Sequence, residues 1–196
     1  MAIRTGQIPP AAIEALRQGL GQMRGLPQAD VSAFEAAEEG VQEGVPHETF
    51  HLGLDAIRAH RGLAAAEPVG WRYLLAGHAA EPTVAAEVMQ SDAGFTFAGL
   101  NDGPFVKQML DAMRKANVQG DYEPRLLRVP AVYVVAAWLK DSTGNNDLFI
   151  PLDPSNPALE PGRVYNAKEF EQALVKAADE MAEATRPDED RGPRAP

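Results

Sequence analysis

Along much of the chain, apolar residues fall into two spacings, one helical and one extended. Ile13, Leu16, Leu20 and Met23 make the stripe of a helix that opens near Pro10 and is stopped by Gly25 and Pro27. Asp30 then stands as N-cap of a second helix through about Val41, whose apolar seam of Val31, Phe34 and Val41 runs beside Glu35, Glu38 and Glu39. Together they predict an N-terminal helical hairpin. A third stripe, Phe105, Val106, Met109, Leu110 and Met113, follows the helix start Asn101-Asp102-Gly103-Pro104 and ends at Gly120. The last stripe, Phe170, Leu174, Ala178 and Met181, has the clearest boundary. Asn166 is its N-cap and Glu169 stands at N3, while Tyr165 and Phe170 can close a hydrophobic staple.

The extended pattern occupies the middle of the chain. Gly70 to Ala76, Val84 to Met89 and Gly94 to Gly99 are short strand candidates in an antiparallel meander. Val132 to Leu139 is a near-continuous run of β-formers, and Asp147 to Leu152 can return beside it. Phe50, Leu54 and Ile57 fit one face of a helix opened by Pro46 and closed by His60, Arg61 and Gly62. Phe50, Leu52, Leu54 and Ala56 also alternate as a strand would. The helix is the reading taken here.

These elements predict an α+β fold: an antiparallel sheet of four or five strands, covered on one face by the helices starting near Pro104 and Asn166. Residues 1–45 would be the helical hairpin packed on the main body, 46–184 the α+β domain and 185–196 a disordered tail, since RPDEDRGPRAP has no large apolar residue.

Composition narrows the chemistry. With 196 residues, 45% apolar and 23% charged, the chain has the usage of a folded domain. It has no Cys, which excludes disulfides, thiolate metal sites and Cys nucleophiles. A net charge of −10 argues against nucleic acid and anionic lipid surfaces as partners. The first twenty residues lack an apolar h-region and no run is long enough to span a membrane, so a cytoplasmic protein is expected.

One segment matches a catalytic motif. His47-Glu48-Thr49-Phe50-His51 is an H-E-x-x-H, which on a helix puts two imidazoles about 6 Å apart for one Zn²⁺, with Glu48 as base toward a metal-bound water. In a strand they would stand roughly 13 Å apart and could not share an ion. Pro46 leaves His47 at best in a first helical turn. No third ligand has the metzincin spacing, because Gly53 comes one residue early and His60 three late, and Glu67, Glu81 and Glu87 lack supporting context. The match therefore reads as accidental. Asp141 to Asp147 resembles a calcium loop, but Gly144 is misplaced and Leu152 stands where a bidentate Glu belongs. His78 reads as a solvated loop residue.

No nucleotide loop or nucleophile elbow is present. The expectation is a non-catalytic protein, without metal or cofactor, that binds a protein partner or assembles with itself. A zinc-dependent hydrolase using His47, Glu48 and His51 is one alternative. A small-ligand module using Trp71, Tyr73, Tyr133 and Trp138 is the other.

Overall fold

A computed structural model describes residues 6–23, 45–75, 84–119, 121–144 and 146–185. The elements are α1 (Pro10–Met23), β1 (Val45–His51), α2 (Leu54–Arg58), β2 (Glu67–Leu75), β3 (Val84–Ser91), β4 (Gly94–Asn101), α3 (Pro104–Gln119), β5 (Tyr122–Val129), β6 (Val134–Asp141), β7 (Leu148–Pro151), β8 (Tyr165–Asn166) and α4 (Ala167–Thr185). The expected second helix of the N-terminal hairpin, His78 and the C-terminal tail lie outside the described residues.

All eight strands form one mixed sheet in the order β4-β3-β2-β1-β5-β6-β7-β8. The α+β class holds, whereas a purely antiparallel sheet of four or five strands does not. Two antiparallel meanders begin side by side at β1 and β5, which pair in parallel, and grow outward in opposite directions. The extra strands are the ones the apolar pattern hides. β5, Tyr-Glu-Pro-Arg-Leu-Leu-Arg-Val, carries Pro124 and two Arg through the middle of the sheet. β8 has two residues and doubles as the lead into α4.

β1 is the second correction. Val45 to His51 is extended, and the expected helix shrinks to Leu54–Arg58 after Gly53. Pro46 is tolerated in a central strand because the described β5 ladder starts at Glu48, beyond the residue that lacks an N–H. The short helix ends before the expected Gly62: His60 N–H donates to Ile57 O and Arg61 N–H to Ala56 O, a Schellman stop whose left-handed residue is His60 at φ 51°.

Register then fixes the faces. One row crosses the whole sheet as Phe97, Val88, Trp71, Glu48, Arg125, Trp138, Phe149 and Tyr165, so all eight side chains share a face. On that face α1 covers one end, packing Ala12, Leu16 and Leu20 over Trp71, Tyr73, Leu75 and Val88. Its approach to β4 needs Gly19, where a Cβ would lie 2.0 Å from the Phe97 ring. α4, with α2, covers the other end through Phe170, Leu174, Ala177 and Ala178 over Phe50, Leu127, Trp138 and Phe149. α3 lies on the opposite face, burying Val106, Met109 and Met113 against Leu74, Leu126, Ala137 and Ile150. The helices starting at Pro104 and after Asn166 are therefore on different faces, not the same one. Because β1 and β5 run parallel while their meanders diverge, the helix that closes each meander returns over the opposite side.

Candidate functional site

The strand geometry of β1 takes the H-E-x-x-H segment apart. His47 and His51 share the α3 face but stand four strand residues, roughly 13 Å, apart. Glu48 projects to the other face, His47 is fully buried and His51 is exposed. Among the described residues no three His, Asp or Glu side chains gather as a metal group. The helical zinc arrangement is not assembled. The calcium-like loop is also committed internally: Asp147 accepts bonds from Trp138 Nε1 at 2.8 Å, Lys140 Nζ at 3.0 Å and the Asp141 N–H at 3.0 Å.

The four candidate aromatics do not converge on one pocket. Trp71 and Tyr73 are packed beneath α1, and Trp138 belongs to a chain of rings through Phe50, Phe149, Phe170 and Tyr165. Tyr133 is 70% exposed in a left-handed turn at φ 55°. What the row does build is a charged seam between the two helix-covered ends. The Arg125 guanidinium lies 4.9 Å from the Phe50 ring centre and 5.1 Å from that of Trp138, and it pairs with Glu123 at 2.9 Å. Burial pushes the Glu48 carboxyl above the usual carboxylate range; Arg125 opposes that shift and Glu123 adds to it.

On the reverse face, the row His47, Arg72 and Glu87 places a cation inside an apolar strand. Arg72 is 1% exposed, and its Nε and Nη2 have no hydrogen-bond partner among the described residues. Its Nε stands 3.7 Å from Glu87 Oε1, an ion-pair distance too long for a hydrogen bond. The same Glu87 oxygen accepts Arg128 Nη2 at 2.5 Å. Arg128, in β5, reaches it across β1 and β2, where Thr49 and Gly70 are paired. Gly70 is required there at φ 154°, since a Cβ would fall 2.1 Å from Val88 O. Desolvation lowers the Arg72 pKa, and Glu87 counteracts it. This cluster escaped sequence reading because Gly70 to Leu75 looks like a plain core strand. The legible signal was parity, since Arg72 stands at the same alternation as core residue Leu74.

A concavity lies between α2 and α4. It is a groove of about 400 Å³ with Leu52, Ile57 and Leu174 as buried walls and Val175 partly exposed along it. His60, Lys168 and Gln172 are exposed at its edge. Glu171 fixes the corner by accepting the Leu63 N–H at 2.7 Å. A second cleft of about 320 Å³ on the other flank of α2 is lined by His51, Asp55, Arg61 and Glu67, among others. No described helix is long and apolar enough to cross a membrane. No family model, curated protein or solved structure matches the chain.

Proposed function

We propose that the protein is a non-catalytic binding module that takes an apolar side chain of a protein partner into the groove between α2 and α4. The observation that carries this reading is the groove itself: apolar walls drawn from two helices, with a rim bearing both signs of charge and an amide. Binding sites of this size are commonly apolar within and polar at a few edge positions. The walls are held before any partner arrives, by the Schellman stop at His60 and the Glu171 bond to Leu63. A preformed site loses less conformational freedom on binding. Val175 and Gln172 lie one turn apart on the outer side of α4, where a partner chain can run along the helix.

The test is selection of displayed peptides on the wild-type protein, followed by binding of the enriched sequences to Val175→Asp and Gln172→Ala. Enriched peptides should share an apolar anchor and lose binding to Val175→Asp, with the fold of that variant verified by circular dichroism. Enrichment that is indifferent to Val175→Asp, or none at all, removes the groove as the binding element.

A further inference from the structure

The groove leaves the buried Arg72 unexplained. On the α3 face, two guanidinium groups converge on one oxygen of Glu87, and Arg72 receives the weaker share at 3.7 Å against 2.5 Å for Arg128. A buried cation with open N–H donors is costly to keep, and replacing such a group by an apolar side chain often leaves a protein as stable or more so. Its retention at a core position therefore points to a second anion that arrives from outside.

We propose that the Arg72–Glu87–Arg128 cluster is a binding site for a small monocarboxylic acid with an apolar body. The charge arithmetic selects a monoanion: two guanidinium groups less one carboxylate leave a single positive charge. A planar carboxylate matches the two buried, unpartnered donors of Arg72, Nε–H and Nη2–H, which the guanidinium presents side by side. Access comes over the rim, where the Glu87 side chain is 18% and that of Arg128 31% exposed. The neighbour for the acid's body is Met89, two residues along β3 on the same face and 41% exposed, one of two large apolar side chains exposed among the described residues. When the acid binds, its carboxylate takes the Arg72 Nε and Nη2 hydrogens and Glu87 remains with Arg128.

The full chain is titrated with hexanoate at fixed ionic strength, by calorimetry and by thermal unfolding, with hexanol and inorganic phosphate as comparisons. Hexanoate should bind saturably and raise Tm, while hexanol and phosphate should not. Arg72→Met should raise the Tm of the ligand-free protein and abolish the hexanoate response. Arg128→Gln, at the exposed rim, should weaken hexanoate by roughly tenfold or more. The proposal is overturned by the absence of saturable hexanoate binding, by phosphate binding as well as hexanoate, or by a response that survives in Arg72→Met. A fall in the ligand-free Tm of Arg72→Met also overturns it, because Arg72 would then be a structural cation.

Discussion

Tyr73 and Glu48 show how single side chains on the helix-covered face bear on stability. The Tyr73 hydroxyl is buried beneath α1 without a hydrogen-bond partner among the described residues, and burial pushes its pKa up to about 12. An unsatisfied buried hydroxyl costs free energy, so Tyr73→Phe should stabilise the protein by about 1 kcal/mol in urea titrations at neutral pH. The folded pKa lies above the ordinary 10.0, so the wild type should lose stability as pH rises from 10 to about 12. Tyr73→Phe should lack that alkaline loss, and a variant that tracks the wild type would disprove the assignment. Glu48 has the same sign at lower pH. Its raised pKa means that the favourable contribution is complete below the ordinary carboxylate pKa and disappears as pH rises through the folded value. Glu48→Gln should therefore gain on the wild type at neutral pH and lose that advantage in acid. A gain equal at both pH values would show that charge is not the cause.

Among the elements, boundaries set by local chemistry were readable in the sequence and boundaries set by pairing were not. The start of α4 is local: the Glu169 N–H donates to Asn166 Oδ1 at 2.9 Å, the Asn166 N–H donates to Glu169 Oε2 at 3.2 Å, and the Tyr165 and Phe170 rings meet at 6.2 Å. Asn166→Ala should cost about 1 kcal/mol and Phe170→Ala about 3 kcal/mol or more, read from denaturation midpoints. No change in either would deny α4 its place in the core. By contrast, β1 has too few residues to separate period 2 from period 3.6, and only β2 and β5 on its flanks decide the matter. β5 was missed because Pro124, Arg125 and Arg128 break its apolar pattern. Its polar positions are satisfied by Glu123, Glu87 and ring faces that only the assembled sheet supplies. The candidate sites follow the same division. The H-E-x-x-H and the aromatics were visible but are held apart, while the Arg72 cluster joins the neighbouring strands β2 and β3 to β5, remote in sequence.

At the scale of the molecule, two meanders make one cooperative unit. The α4 core joins Phe50 and Leu52 of the first half to Leu127 and Trp138 of the second, and the α3 core joins Leu74 and Ala85 to Leu126 and Ile150. Neither half can keep its apolar face covered when the other leaves. The two Trp residues provide a direct check, since Trp71 lies in β2 and Trp138 in β6. Trp71→Phe and Trp138→Phe leave one reporter each, and within each variant fluorescence and far-ultraviolet circular dichroism should give the same midpoint. A reporter that leads or lags the dichroism would mean that the halves unfold separately.

The two rims of the sheet are unequal, and this limits how copies of the chain can accumulate. β8 offers two residues and is tied into α4, whereas β4 runs for eight and, among the described residues, pairs only with β3. An open strand is a template for another chain, but fibre growth needs a template on both sides. A sheet with a single usable margin consumes it in one encounter. Strand exchange between copies through β4 would thus be self-terminating, and light scattering across a concentration series should find pairs at most and no polymer.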